Sequence, residues 1–195
     1  DVAAEITCLL ALSAIKNQDN VGLILFSDRI EKSVPPRKGR TAAMRLVREV
    51  LAAEETRRGT NIAAALRFLN NVQKRKAVVF IVSDFMDNAY EKELRVTARK
   101  HDVICCPISD PLEIELPNAG LVEVQDPETG QLLLVDTRSA LLRSNFQHEM
   151  EQHNQALQTL FRRLKIDTLN LSTTHSFVDA VRKLFRQRQA RAGRG

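Results

Sequence analysis

Apolar and polar positions change period several times along the chain, and those changes mark the elements. Ala3–Ile15 is apolar almost all round, which predicts a helix packed beneath a sheet. The polar turn Asn17–Asn20 ends it. Val21–Phe26, a short apolar run with Gly22 inside it, predicts a strand. After Ser27-Asp28-Arg29, Ile30–Val34 predicts an antiparallel edge strand stopped by Pro35-Pro36, since proline donates no ladder hydrogen bond. Thr41 is a candidate cap for a helix to about Ala53, with Met44, Val47 and Leu51 on its inner face. Gly59-Thr60-Asn61 opens another helix through Val72, carrying Ile62, Leu66 and Leu69.

Ala77–Val82 is the clearest strand signal. Its apolar run is unbroken, so both faces should be buried, as in a central parallel strand. A helix follows over Tyr90–Lys100, then a strand over Val103–Ile108 stopped by Ser109-Asp110-Pro111. Alternation of strand and helix predicts an open α/β sheet. The pattern then breaks. Leu121–Val124 and Leu132–Val135 alternate about Asp126-Pro127-Glu128-Thr129-Gly130, a hairpin signal expected as an insertion over residues 112–137. Ser139–Leu164 predicts a long helix, half of it exposed because its apolar spacing loosens between Met150 and Leu157. Thr168–Leu171 predicts a last strand. Ser176 is placed to cap a final helix with Phe177, Val181, Leu184 and Phe185 on its inner face.

Composition narrows the class. The chain has 195 residues, 44% of them hydrophobic, which fits one globular domain over residues 1–195. No apolar run reaches the length of about 18 residues that spans a bilayer. The net charge is +5, and Arg182, Lys183, Arg186, Arg188, Arg191 and Arg194 crowd the end of the chain. Residues 187–195 are expected to form a flexible basic tail. Nucleic-acid binding through that tail is an alternative function, but a solvated helix end explains the charge as well. Only Tyr90 offers a ring other than Phe for base stacking, so no nucleic-acid partner is expected. Cys8, Cys105 and Cys106 lie in apolar stretches without CxxC spacing, which fits a reduced, cytoplasmic compartment.

Candidate chemistry gathers at strand ends. Three predicted strands finish in the same dipeptide: Ser27-Asp28, Ser83-Asp84 and Ser109-Asp110. Open α/β sheets bind ligands outside the carboxyl ends of their strands, and hydroxyl and carboxylate oxygens suit a hard divalent cation. Ser and Asp are also ordinary turn formers, so the spacing alone leaves both readings open. His148 and His153 resemble a zincin pair with one residue too many; on a helix they point about 140° apart. No Walker, dinucleotide or nucleophile-elbow motif occurs.

Several motifs, in order, carry a resemblance. Val21-Gly22-Leu23-Ile24-Leu25-Phe26-Ser27-Asp28, Pro35-Pro36-Arg37-Lys38-Gly39-Arg40, Arg58-Gly59-Thr60-Asn61-Ile62 and Val82-Ser83-Asp84-Phe85 begin it. Asp110-Pro111-Leu112-Glu113, Glu115-Leu116-Pro117, Gly120-Leu121, Asp126-Pro127-Glu128-Thr129-Gly130 and Val135-Asp136-Thr137 continue it. Nearly the whole chain resembles a bacterial family of von Willebrand factor A-like domains of unknown function associated with MoxR-type AAA ATPases.

The resemblance implies a doubly wound, mostly parallel, three-layer Rossmann-like sheet of six strands, with a metal-ion-dependent adhesion site at its top. By motif, Thr60 and Asp84 resemble metal ligands of that site, with Asp28 and Ser83 on its rim. The family's Asp-x-Ser-x-Ser turn is expected before residue 1, together with the first strand, so the metal site is incomplete. No cofactor is expected to bind the chain itself, and Mg²⁺ belongs to the full-length protein. Without the first strand, Val21–Phe26 and Ala77–Val82 are expected to pair directly, or a homodimer or strand-swapped assembly to form. The implied function is non-enzymatic: docking of partner proteins, foremost a MoxR-type AAA ATPase, in protein assembly or metallation. The enzymatic alternative is a metal-dependent hydrolase using Asp84 and Asp110.

Overall fold

In the computed structural model the described residues are 2–53, 59–87, 89–109, 116–125, 132–172, 181–183 and 186. The chain divides into two compact units, Asp1–Ala77 with Phe85–His101, and Val78–Asp84 with Asp102–Gly195.

The first unit opens with α1, Val2–Asn17. Its small residues Ala4, Ala11 and Ala14, with Ile6, are buried. Strands β1, Val21–Phe26, and β2, Ile30–Arg37, pair antiparallel. The second strand therefore runs through the two prolines that were expected to stop it. The register jumps from Val21↔Arg37 to Leu23↔Val34, so Pro35-Pro36 sit in a bulge opposite Gly22, where no ladder donor is required. A Cβ on Gly22 would lie 2.9 Å from the Val34 carbonyl oxygen, which explains glycine inside this strand.

Helix α2 spans Arg40–Leu51 and buries Ala43, Leu46 and Val50. The expected inner face is rotated by one residue: Met44 is 45% and Leu51 67% exposed. Gly39, not Thr41, is its N-cap. Helix α3, Ile62–Val72, is capped by Asn61, whose Oδ1 accepts from the Ala64 amide at 2.8 Å. Helix α4, Glu91–Lys100, joins α3 through a buried polar bridge: Asn70 Nδ2 donates to Thr97 Oγ1 at 2.8 Å and to the Leu66 carbonyl at 2.9 Å.

The second unit is built on a parallel sheet. Strands β3, Val78–Ser83, and β4, Asp102–Ser109, pair in register from Val78↔Asp102 to Ser83↔Pro107. Two short strands, β7 (Asp167–Thr168) and β8 (Leu171–Ser172), also pair parallel with β4. The central strand is β4, with Val103, Ile104, Cys105 and Cys106 all buried. That role was expected of Ala77–Val82, but Val78 of β3 is 54% exposed. Of the apolar run in β3 only Ile81 is buried, so the run sets neither the strand's place in the sheet nor the burial of both its faces. The direct pairing expected between Val21–Phe26 and Ala77–Val82 is not among the described strand pairs.

The hairpin is present as β5, Leu121–Gln125, and β6, Leu132–Asp136, in a sheet of their own. Buried Thr137 closes its base, its Oγ1 donating to the Gly120 carbonyl at 2.7 Å and accepting from the Ala119 amide at 3.0 Å. Ser139 then caps α5, Ala140–Arg163, where Leu157 and Phe161 are buried; Leu141, outside the expected apolar set, is exposed. Of the final helix only residues 181–183 and 186 are described, with Val181 buried; its expected cap Ser176 and residues 187–195 lie outside the described residues.

Candidate functional site

Residues just past a strand's carboxyl end have backbone groups no longer claimed by the ladder, so turns there are held by local hydrogen bonds. In the first unit the turn after β1 is closed by the Ser27 amide donating to the Arg29 carbonyl at 2.8 Å. Ser27 Oγ lies 2.7 Å from Glu31 Oε1 and 3.0 Å from Asp28 Oδ1, so one hydroxyl proton serves two carboxylates. The Ser27 carbonyl accepts from the Asn61 amide at 2.8 Å, tying this turn to the start of α3.

That helix start is doubly capped. Asn61 satisfies the Ala64 amide, and Asp87 Oδ2 accepts from the Ile62 amide at 2.8 Å. Ile62 is fully buried, so water cannot replace that partner. A carboxylate at a helix N-terminus also meets the positive end of the macrodipole. Three loops are thereby braced against each other: Ser27–Arg29, Gly59–Asn61 and Phe85–Asp87. Asp28 and Thr60 are exposed on them.

In the second unit Ser83 ends β3, and its Oγ donates to Asp84 Oδ1 at 3.2 Å. The Asp84 side chain is exposed. Asp110 lies outside the described residues, so the second carboxylate of the hydrolase reading has no described position. The sequence reading missed Asp87. A second acid in the loop after Ser83-Asp84 was its only signal, and its bond to an amide 25 residues earlier is a tertiary feature.

Among the described residues no group of three or more His, Cys, Asp or Glu is placed to hold a metal ion. Thr60 and Asp84 would supply two oxygens, too few for a hexacoordinate Mg²⁺. These residues alone do not fit the ion. His148 Nε2 meets Gln152 Nε2 at 2.8 Å, one turn along α5. Burial, reinforced by its neighbour, pushes the Cys105 thiol far above its usual range, and burial pushes Cys106 up to about 12. Neither is a thiolate nucleophile at neutral pH. Cys8 is half-buried rather than buried, and all three cysteines are free.

The fold and these strand-end loops define a mixed α/β domain with a parallel sheet and exposed acids past its strands. The chain belongs to the family described as "Protein of unknown function DUF58", whose model matches residues 1–156. An uncharacterized protein of Mycobacterium avium is 31% identical over 166 residues, covering 83% of this chain and 98% of that protein. An uncharacterized protein of Mycobacterium tuberculosis is 27% identical over 180 residues, covering 90% of this chain; the chain spans 56% of that relative's length.

Two solved structures share the fold. A conserved hypothetical protein, BatB from Bacteroides thetaiotaomicron, superposes with a TM-score of 0.54 at 12% identity, over 98% of this chain and 89% of that one. An aerotolerance-related membrane protein from Bacteroides fragilis gives 0.56 at 12% identity, over 95% of this chain and 85% of that one. Among the described residues of the present chain no helix is long and apolar enough to cross a membrane.

Proposed function

We propose that this protein is a non-enzymatic docking module, a cytoplasmic von Willebrand factor A-like domain that serves a MoxR-type AAA ATPase in assembling or metallating other proteins. The observation that supports this most is the bracing of the strand-end loops. Asp28 and Thr60 are held out to solvent on turns whose backbone groups are satisfied from beneath by Asn61, Asp87 and one another. A pre-ordered rim of exposed oxygens lowers the entropy a partner must overcome on docking. The resemblance of the motifs around Thr60 and Asp84 to an adhesion site supports a docking role as well. The docking proposed here is not routed through a metal held by those two residues.

The test is direct binding of a purified MoxR-type ATPase from the source organism to the immobilised protein, followed by biolayer interferometry. Saturable binding is expected, weakened by Asp28→Ala and Thr60→Ala. Absence of binding, or binding indifferent to both substitutions, contradicts the reading.

A further inference from the structure

Helix N-termini ordinarily gather acids and side-chain caps, because the first turn presents unsatisfied amides and the positive end of the macrodipole. The start of α2 does the opposite. Its N-cap Gly39 has φ 94°, a conformation glycine alone adopts easily, and no side chain caps the helix. Its first turn contains no acid. Between this turn and β2 lies an open groove of about 770 Å³. Arg37, Lys38, Arg40, Arg45 and Arg48 line it, and among the described residues no acid does.

Only Arg45 is compensated, by Glu49 at 3.6 Å, a carboxylate that Lys32 also holds at 3.2 Å. The other four cations have no ion-pair partner among the described residues. Three of them, Arg37, Lys38 and Arg40, flank the positive helix end and repel one another and the helix, an arrangement that helps the fold only once an anion arrives; Arg48, in the last turn, extends the basic rim along the groove.

The rest of the lining says what kind of anion. Exposed Pro35, half-exposed Met44 and, beneath them, buried Val34 give the groove an apolar wall under its basic rim. A sugar-phosphate chain would leave that wall wet. Among the described residues no aromatic side chain lines the groove, so none is placed there to stack on bases. A concave groove does not lie flat on a bilayer. A peptide with carboxylates flanking an aliphatic side chain satisfies both parts. Pro35 and Pro36 remove two amides from β2, so recognition there runs through side chains rather than strand addition.

We propose that this groove binds an acidic, aliphatic-bearing peptide segment of a partner protein, without a divalent ion. The proposal rests on the docking reading above but not on the strand-end loops.

The experiment is fluorescence anisotropy in EDTA with a fluorescein-labelled peptide alternating Glu with Leu, and its Gln-for-Glu counterpart. The acidic peptide is expected to bind, and the Gln peptide to bind at least about tenfold more weakly. Arg40→Glu with Arg48→Glu should weaken the acidic peptide by about tenfold or more and let a Lys-for-Glu peptide bind. Arg40→Glu should also raise Tm, because an acid then replaces a cation at the helix start. The same charge change at exposed Lys74 and Lys76 should leave binding intact.

No binding of the acidic peptide overturns the proposal. So does equal loss from the Lys74 and Lys76 changes, or tighter Arg40-dependent binding of labelled single-stranded DNA or of phosphatidylserine vesicles. Peptide binding without ATPase binding upholds the groove and sinks the ATPase reading. ATPase binding that survives Arg40→Glu with Arg48→Glu, with no peptide binding, does the reverse.

Discussion

Asp87 should be the keystone of the loops that present Asp28 and Thr60, and its removal has a calculable cost. Its Oδ2 takes the Ile62 amide at 2.8 Å, and Ile62 is fully buried. Asp87→Ala leaves that amide without a partner, a penalty of about 1–3 kcal/mol. It also removes a carboxylate from the N-terminus of α3, a further loss of about 0.3–1 kcal/mol. Asp87→Asn keeps an acceptor oxygen and forfeits only the second contribution. Urea titration followed by circular dichroism separates the two. With a slope of about 1–3 kcal/mol per M, the alanine variant should lower the midpoint by roughly 1 M and the asparagine variant by a fraction of that. High salt should shrink the asparagine effect, since charge–dipole attraction is screened. Asn61, the other cap of α3, should remain engaged in both variants. If Asp87→Ala costs less than about 0.5 kcal/mol, or no more than Asp87→Asn, the brace is not structural.

Three further predictions test the frame around the site. Gly22→Ala drives a Cβ to 2.9 Å from the Val34 carbonyl, so thermal melting should show a loss of about 1–3 kcal/mol, and an unchanged Tm would mean the bulge relaxes freely. Thr97→Val removes one of the two acceptors of buried Asn70 Nδ2, leaving the Leu66 carbonyl, which should cost about 1 kcal/mol alone and less when Asn70→Leu is added; a double-mutant cycle without coupling contradicts the bridge. His101 is 4% exposed with neither ring nitrogen paired among the described residues, and burial, then Lys100, lowers its pKa from an ordinary value near 6.5. The unfolded chain therefore binds this proton first, so stability is unaffected above pH 6.5 and falls as pH drops below it. His101→Phe should flatten that acid-side decline in Tm against pH, and an undiminished decline would assign it to other groups.

Much of the architecture was legible because local rules and tertiary packing agree. The helices expected to open at Gly59-Thr60-Asn61 and at Ser139 begin there, and the pairing of Leu121–Gln125 with Leu132–Asp136 follows from alternation; the turn expected at residues 126–130 lies outside the described residues. Errors came where two local solutions were equally good. Helix α2 carries adjacent apolar stripes, Ala43-Leu46-Val50 and Met44-Val47-Leu51, and periodicity cannot choose between stripes one residue apart. The first stripe is inward, and its Ala43 allows close approach. The apolar runs of β3 and β4 read alike, yet β4 takes the centre because parallel partners lie on both its sides. Pro35-Pro36 reads as a stop unless the bulge opposite Gly22 is foreseen. At the site, the strand-end acids were visible as a repeated Ser-Asp dipeptide. The Asp87 brace and the basic groove were not, because each needs residues distant in sequence to be brought side by side.

The most direct test of the docking account is hydrogen–deuterium exchange on the protein alone and in complex with the MoxR-type ATPase. The account predicts new protection over residues 27–31, 59–62 and 85–87, with the exposed leucines of the β5–β6 hairpin unchanged. Protection confined to the hairpin and α5, or none at saturating ATPase, would contradict it.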